Sequence, residues 1–222
     1  MKKTIRDVEL NNKVVLIRVD FNVPMKNGVI TNDNRIVQAL PTIQYALDQN
    51  AKVVLFSHLG RVKEEADLAK NDLAPVAVRL AELIGQPVTF IPKTRGAELE
   101  EAVKNMKAKD IVMFQNTRWE DLDGKKESKN NPELGAYWAS LGEVFVNDAF
   151  GTAHRAHSST TGVASYLPAV SGFLIEKEIM FIPSEFDDVV MKINSFALAR
   201  QMSDGIGYVV SHDSDILVDL TS

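Results

Sequence analysis

The sequence predicts an α/β domain in which a mainly parallel sheet carries helices on both faces. Up to residue 147, short apolar runs rich in valine and isoleucine alternate with stretches whose apolar residues recur every three or four positions. The first pattern is typical of buried strands and the second of amphipathic helices. Strands that alternate with helices of about 10–15 residues form βαβ units, and such units build parallel sheets.

The elements are expected in a regular order along the chain. Strands are predicted over residues 14–19, 53–57, 87–91, 110–114 and 144–147, and helices over 34–47, 74–84, 97–106 and 132–141. The first helix is indicated by the spacing of Ile36, Leu40 and Ile43, and Pro41 among them predicts a kink or a late helix start. This order predicts a three-layer, Rossmann-like domain.

Composition excludes several classes of protein. The chain contains no cysteine, so neither a disulfide framework nor a thiolate metal site is expected. Its basic start is followed by no apolar run of signal-peptide length, and no stretch of about 18 apolar residues indicates a membrane span. A cytoplasmic protein without membrane contact is therefore expected. The pI near 5.4 argues against nucleic acid as a partner.

Polar clusters follow four of the predicted strands. Ligands of open α/β sheets gather at the carboxyl ends of the strands, so these clusters are expected to lie close together. Each cluster contributes arginine, whose guanidinium group can bind two oxygens of a phosphate or carboxylate at once. The five arginines are Arg18, Arg35, Arg61, Arg118 and Arg155. Their convergence would create an anion-binding site.

Simpler explanations exist for each of these residues taken alone. A single arginine after a strand most often belongs to a surface ion pair. Asp20 and Asn22 can cap a turn. His58 can be a hydrogen-bonded histidine at a strand end, and Gly60 and Gly151 can serve turn geometry. These explanations would have to hold separately at all four strand ends, so an anion site is favoured.

Motifs for other chemistries are missing from the sequence. There is no cysteine or lysine nucleophile motif, no GxxxxGK[ST] phosphate loop and no GxGxxG turn. The predicted site therefore binds an anionic small molecule and performs no covalent catalysis. Asp213, Asp215 and Asp219 are better explained as a solvated acidic loop than as a metal site, so no metal site is expected.

Five motifs resemble phosphoglycerate kinase, in that family's order and approximate spacing. They are RVDFNVP at 18–24, NRIVQALPTI at 34–43, SHLGR at 57–61, LAPVA at 73–77 and NDAFGTAHRAHSS at 147–159. GFLIEKEI at 172–179 resembles the start of the family's interdomain helix, so the resemblance covers residues 1–180. It implies a two-lobed enzyme that transfers the acyl phosphate of 1,3-bisphosphoglycerate to ADP. The N-terminal lobe would hold the triose in a basic cup.

The resemblance also implies roles for individual residues. Asp20 and Asn22 would orient the hydroxyl and carboxylate end of the glycerate. Arg35 would be the main electrostatic catalyst, because it would neutralise charge on the carboxylate and on the phosphoryl group in transfer. The other substrate-binding residues that the resemblance implies are Arg18, His58, Arg61, Arg118, Gly151, His154 and Arg155.

The chain departs from the family pattern at a few positions and at its end. Val62 stands where the family commonly has Pro, and Gln115 and Trp119 replace a Glu and a Phe or Tyr near Arg118. The Gly-Gly-Ala-Lys and Gly-Gly-Gly-Asp motifs of the nucleotide lobe do not occur. We therefore expect this chain to bind no nucleotide itself, whereas the full family enzyme uses MgATP and MgADP.

Two segments are expected, one at 1–172 that resembles the family's N-terminal domain and one at 173–222. The second would comprise the interdomain-like helix start and an acidic tail that resembles nothing in the family. Residues 181–222 hold seven acidic and two basic residues. Within them a helix is expected over 186–197 and strands over 208–210 and 216–220. Strands this short are expected to join an existing sheet or pack on the helix.

Three functions remain in competition at this point. The favoured one is a half-enzyme that binds 3-phosphoglycerate or 1,3-bisphosphoglycerate but transfers no phosphate alone. The second is a kinase half that is complemented by a separate nucleotide-binding lobe, which a companion gene would favour. The third is a non-catalytic protein-interaction module, which a large exposed apolar face on Phe186, Val190 and Ile193 would favour.

Overall fold

The computed structural model describes residues 3–153 and 155–180, together with 208–209 and 218–219. Its strands β1–β10 are Val14–Arg18, Met25–Lys26, Val29–Ile30, Lys52–Phe56, Thr89–Ile91, Ile111–Phe114, Val144–Asn147, Ala169–Ser171, Tyr208–Val209 and Val218–Asp219. Its helices α1–α6 are Asn34–Asp48, Ala66–Lys70, Ala74–Ile84, Ala97–Lys104, Pro132–Ser140 and Phe173–Met180. Within the described ranges, no helix has both the length and the apolar character that a membrane span needs.

Six strands form one sheet in the order β5-β6-β4-β1-β7-β8. Every pairing in this sheet is parallel, which confirms the predicted α/β fold. β6 is apolar along its whole length and β4 is apolar after Lys52, because both faces of these central strands are covered. The consecutive order β6-β4-β1-β7 brings the carboxyl ends of four strands together at one edge.

Each face of the sheet packs against its own helices. Alternate residues of β1 point to opposite sides, so Ile17 belongs to the core under α1 and α3, whereas Leu16 belongs to the core under α4 and α5. The second core is aromatic: the rings of Phe56 and Phe114 stack at 5.4 Å between centroids, and Trp138 lies 5.9 Å from Phe114. Burial of such side chains contributes roughly 1.5–3 kcal/mol each, which holds the strand ends in register.

The strands and helices predicted up to residue 147 are all present, with one difference inside α1. The helix begins at Asn34, so the late start expected from Pro41 is wrong. Pro41 is exposed, and its ring therefore lies on the solvent side of the helix, where it displaces no core packing. The elements that were not predicted are β8, the five-residue helix α2 and the hairpin of β2 and β3, whose turn places Asn27 and Gly28 at positive φ.

The tail is described only at two short strands. β9 and β10 pair with each other in antiparallel register as a separate two-stranded sheet, so they do not extend the six-stranded one. The strand predictions are confirmed, and of the two alternatives expected for them, addition to an existing sheet is wrong, whereas packing on the tail helix involves residues outside the described ones. The helix predicted over 186–197 lies outside the described residues, as do Phe186, Val190 and Ile193.

Candidate functional site

The carboxyl edge of the sheet gathers the four polar clusters into one surface. We call this surface the rim; it comprises residues 18–22, Arg35, 57–61, 116–118, 151–153 and 155–159. Asn22 Oδ1 accepts the backbone N–H of Gly60 at 2.8 Å, which ties the first cluster to the second. Asn116 Oδ1 accepts the N–H of Leu59 at 3.0 Å, which ties the second to the third. The predicted convergence of the clusters is therefore present in the fold.

Asp20 and Arg35 form an ion pair at the centre of the rim. Asp20 is buried, whereas about half of the Arg35 side chain (49%) is exposed. Gly151 lies so close to this ion pair that it has no space for a side chain, because a Cβ atom at position 151 would lie 2.8 Å from Asp20 Oδ2. The carboxylate thus anchors a guanidinium group whose other edge faces solvent.

Arg18 is completely buried beneath the rim, although the sequence predicted it as a ligand contact. Its Nε donates to Ser159 Oγ at 2.9 Å, and its Nη1 donates to the carbonyl oxygen of Val19. Its Nη2 lies 3.2 Å from Nδ1 of His58. All three nitrogens of the guanidinium group therefore contact protein atoms.

His58 is partly exposed and lies among positive charges. Burial lowers the pKa of His58 well below its usual value, and the charges of Arg18, Arg118 and Arg35 lower it further. The ring is therefore neutral at physiological pH. A neutral imidazole donates through one ring nitrogen and accepts through the other.

The remaining predicted arginines occupy different depths. Arg118 is 8% exposed, and its Nη1 donates to Asp121 Oδ2 at 2.7 Å. Arg61 and Arg155 are exposed on the rim segments that follow β4 and β7. His154, also predicted as a site residue, lies outside the described residues.

Three buried residues, Glu127, His157 and Ser159, were not named as site residues from the sequence, although the last two belong to the fourth polar cluster. Glu127 is fully buried: its Oε2 accepts the backbone N–H of Ser159 at 2.9 Å, and its Oε1 accepts the Ser159 hydroxyl. Burial raises the pKa of Glu127, an effect that Arg18 and these hydrogen bonds oppose. Burial lowers the pKa of His157 to about 3, with help from Arg118 and Arg18. Glu127 belongs to a lysine-rich loop, a context in which charged residues are usually solvated.

Gln115 has a local explanation in the structure. Its Oε1 accepts the N–H groups of Leu73 and Asn116, at 3.0 and 2.8 Å, and its Nε2 donates to Asp72 Oδ1 at 2.8 Å. A glutamate at 115 would place an acceptor against the Asp72 carboxylate, which is repulsive unless one group is protonated. The amide therefore suits this chain, which has Asp72 as the neighbour.

A surface groove of about 560 Å³ lies beyond the rim, at the carboxyl end of β5. None of the predicted site residues lines it; its charged residues include Arg95, which pairs with Glu120 at 2.9 Å, and Lys93, which pairs with Glu98 at 3.2 Å. In the described part of the chain, no three His, Cys, Asp or Glu residues form a group that could hold a metal ion. At the rim, Asp20 and Asp121 are both paired with arginine, so these carboxylates suit arginine better than Mg²⁺.

Comparison with known proteins agrees with these features. The family described as Phosphoglycerate kinase matches residues 5–193, beyond the limit of 180 expected from the motifs. The phosphoglycerate kinase of Enterococcus faecalis is 61% identical over 209 residues, which is 94% of this chain and 53% of that protein. That of Listeria innocua is 60% identical over 208 residues, 94% of this chain and 52% of that protein.

Solved structures show the same similarity. The phosphoglycerate kinase of Coxiella burnetii matches with a TM-score of 0.70 and 42% identity, over 81% of this chain and 43% of that one. The phosphoglycerate kinase of Pyrococcus horikoshii matches with a TM-score of 0.72 and 34% identity, over 81% of this chain and 44% of that one. The chain spans about half the length of the curated relatives that it matches. It belongs to the phosphoglycerate kinase family.

Proposed function

We propose that this chain binds 3-phosphoglycerate or 1,3-bisphosphoglycerate at the rim, as the triose-binding part of a phosphoglycerate kinase. The observation that carries the proposal is the placement of Arg35, Arg61 and Arg155 as exposed residues on rim segments that the fold brings together. Family membership supports the same ligand. We place the triose-binding domain at residues 1–172, with the interdomain-like helix and the tail after it.

The charge and shape of 3-phosphoglycerate suit this surface. The ligand carries about two negative charges on phosphate and one on carboxylate. Exposed guanidinium groups can bind both oxygen groups, and Asp20 and Asn22 lie where they can orient the hydroxyl group between them. Gly151 and His154 belong to the same proposed site, as does Arg118 at its buried margin. Arg18 lies deeper, and its burial favours a supporting role.

In the complete kinase, Arg35 would act through charge. An oxygen of the ADP β-phosphate bonds to phosphorus while the bond from phosphorus to the acyl oxygen breaks, and the carboxylate of 3-phosphoglycerate leaves. Negative charge is spread over the oxygens of the transferring group, so a positioned guanidinium stabilises it. The ion pair with Asp20 holds Arg35 in place before the ligand arrives. MgADP and MgATP would bind to the nucleotide-binding lobe of the family protein, which is not among the described residues of this chain.

Titration calorimetry with 3-phosphoglycerate tests the proposal. The double variant Arg35→Ala with Arg61→Ala removes two charge-assisted contacts worth about 1.5–3 kcal/mol each, so binding should weaken by about a hundredfold or more. The matched control is Arg79→Ala with Arg95→Ala, two partly exposed arginines in ion pairs outside the rim. Equal affinity of the parent and the rim double variant would overturn the proposed site.

Salt dependence provides a second check on the same site. Screening acts over roughly 8 Å at about 0.15 M ionic strength, so attraction between exposed arginines and the ligand should fall as salt rises. We therefore expect weak, salt-sensitive binding by the chain.

A second candidate is a kinase half that works together with a separate nucleotide-binding lobe. The specific observation in its favour is that the matched relatives are about twice as long as this chain. In-line positioning of donor and acceptor contributes up to about 7–11 kcal/mol to such a reaction, and a lobe that holds only the triose cannot supply it. The chain alone should therefore show no measurable turnover with MgATP, and addition of a relative's C-terminal half should restore it. Turnover by the chain alone that Arg35→Ala abolishes would contradict this division of labour.

A further inference from the structure

Arg18 is buried too deeply to serve an exposed ligand directly. It has no exposed side-chain surface, and each of its nitrogens is directed at a protein atom. A buried guanidinium group is costly unless it is paired and hydrogen-bonded, as Arg18 is, so any role of Arg18 in the site is exerted through the groups that it contacts. The contact of 3.2 Å between its Nη2 and Nδ1 of His58 identifies that role.

Only one assignment of donor and acceptor is possible for the contact between Arg18 and His58. Arginine carries five N–H donors and no acceptor, so Nδ1 of His58 must accept the hydrogen bond. A neutral imidazole whose Nδ1 is unprotonated carries its proton on Nε2. The Arg18 contact therefore selects the Nε2–H tautomer. Because the ring is partly exposed, Nε2–H is a donor that an anion at the rim can use.

Arg18 is held in this orientation from the opposite side of the guanidinium group. Its Nε donates to the Ser159 hydroxyl, and that hydroxyl donates to Oε1 of Glu127. Glu127 also accepts the backbone N–H of Ser159 through Oε2. The carboxylate thus neutralises the buried arginine and fixes the π-helical turn Ser158–Gly162 that carries the acceptor. A chain of hydrogen bonds runs from Glu127 through Ser159 and Arg18 to His58.

We propose that Arg18 is a positioning residue that fixes His58 as the neutral Nε2–H tautomer, and that Glu127 holds Arg18 in place through Ser159. The proposal rests on the function proposed above, because His58 is a ligand contact only if the rim binds an anionic triose. It assigns His58 the role of a hydrogen-bond donor that is independent of pH. Arg18 then contributes through His58 and makes no direct contact with the ligand.

The surroundings of His58 keep the ring neutral. Burial lowers the pKa of His58, and the charged groups that lower it further belong to β1 (Arg18), α1 (Arg35) and the segment after β6 (Arg118). His157, on the segment after β7, acts in the same direction when it is protonated. The carboxylates nearest this cluster, those of Glu127, Asp20 and Asp121, are engaged by Ser159, Arg35 and Arg118. A positive charge on the His58 ring would therefore be repelled by these three arginines.

Nitrogen-15 NMR of histidine-labelled protein tests the tautomer without any ligand. The chain has four histidines, so a His58→Gln variant assigns the signals. In the parent we expect an unprotonated Nδ1 and a protonated Nε2 on His58, with a titration midpoint clearly below the usual value near 6.5. A proton on Nδ1, or a midpoint near 6.5 in the parent, would overturn the proposal.

The double variant Arg18→Met with Glu127→Gln tests the cause of the tautomer. It removes both charges of the buried pair together, which is tolerated better than removal of one. The Nδ1 signal of His58 should move toward the protonated range, and the titration midpoint should rise, although burial, the largest cause of the lowered pKa, remains. The matched control is Arg95→Met with Glu120→Gln, an ion pair outside the rim that should leave the His58 signals unchanged. If the double variant does not fold, Ser159→Ala removes the hydroxyl that accepts from Arg18 Nε and donates to Glu127 Oε1, and it should shift the same signals less. An unchanged His58 spectrum in the folded variant would refute the role of Arg18.

Addition of 3-phosphoglycerate separates this inference from the proposed function. In the parent, the ligand should shift the Nε2–H signal of His58 more than the Nδ1 signal, and the Arg35→Ala with Arg61→Ala variant should lose that shift. If the ligand produces neither heat nor a shift, the proposed function fails. The tautomer of the free protein still decides whether Arg18 positions His58.

Discussion

Replacement of Asp148 by asparagine should change how the stability of the domain depends on pH. Asp148 follows β7 and is completely buried. Its Oδ1 accepts the backbone N–H of Leu174 at 2.9 Å in the first turn of α6, whereas its Oδ2 has no hydrogen-bond partner within the described residues. Gly172 leaves the space for this carboxyl group, since a Cβ there would lie 2.3 Å from Oδ1. Asp148 thus joins the segment after β7 to the first turn of α6.

The sign of the effect follows from the direction of the pKa shift. Burial raises the pKa of Asp148 from 3.8 to about 7, while the Thr42 hydroxyl and the first amides of α6 oppose the rise. Between these values the folded protein binds a proton that the unfolded chain has lost, so stability falls as pH rises. At about 1.36 kcal/mol per pH unit, the two units from pH 5 to pH 7 correspond to about 3 kcal/mol. Above pH 7 both states are ionised and the dependence ends.

Urea denaturation at pH 5, 6, 7 and 8 measures how the free energy of unfolding depends on pH for the parent and for Asp148→Asn. Asparagine keeps an acceptor for Leu174 and cannot ionise, so its stability relative to the parent should increase by about 3 kcal/mol from pH 5 to pH 8. The difference between the two proteins carries the signal, because His58 and His157 contribute to both profiles alike. Asp123→Asn is the control, because hydrogen bonding to Lys126 lowers the pKa of that exposed carboxyl. Parallel profiles for the parent and Asp148→Asn would refute the reasoning.

Three further changes have defined outcomes. His157→Asn should reduce the loss of stability in acid, measured by urea midpoints, because a folded-state pKa of about 3 makes stability fall as pH drops below about 6.5. Gly135→Ala should destabilise the domain in thermal melts, because the new Cβ would lie 2.8 Å from Cα of Gly162. The close contact should cost about 1–3 kcal/mol, of which up to about 1 kcal/mol is regained through the higher helix propensity of alanine. Ser140→Ala on the same helix is the control, and a Gly135→Ala protein that melts like the parent would contradict this prediction. Gly151→Ala should weaken 3-phosphoglycerate binding about tenfold, or about 1.4 kcal/mol, in calorimetry, because the methyl group displaces Asp20, and unchanged affinity would argue against the rim centre.

The sequence predicted those elements that have both a clear period and clear ends. The strand at 144–147 and the helix at 74–84 match the structure residue for residue, since an apolar run and a helical stripe ending at Gly85 define them. β8 has only three residues, Ala169–Ser171, which is too short to show a period. The β2–β3 hairpin was missed although Asn27-Gly28 is a strong turn signal. Its strands have two residues each, so no alternating run flanks the turn.

The site was predictable where chemistry follows a strand and unpredictable where a loop folds back on it. Asp20, Asn22 and His58 directly follow β1 and β4, so the rule for parallel sheets located them. Glu127 lies in a polar loop far from any strand end, and only the tertiary fold places it under Arg18. The burial of Arg18 could not be predicted from the sequence either, because nothing in the motif RVDFNVP distinguishes a buried arginine from an exposed one.

Depth changes the electrostatics of the proposed site. Five arginines facing one ligand would repel each other strongly and would need ordering when the ligand binds. In the fold, Arg18 is balanced by Glu127, Arg118 by Asp121 and Arg35 by Asp20. Groups oriented in advance stabilise charge without reorganisation, so under the proposed function these pairs would favour catalysis in a complete kinase over tight binding of the triose. Arg61 and Arg155 lie exposed, where salt screens their attraction for an anion. Affinity of this chain for 3-phosphoglycerate should therefore depend on salt mainly through Arg61 and Arg155, and substitution of Arg18 should leave the salt dependence unchanged.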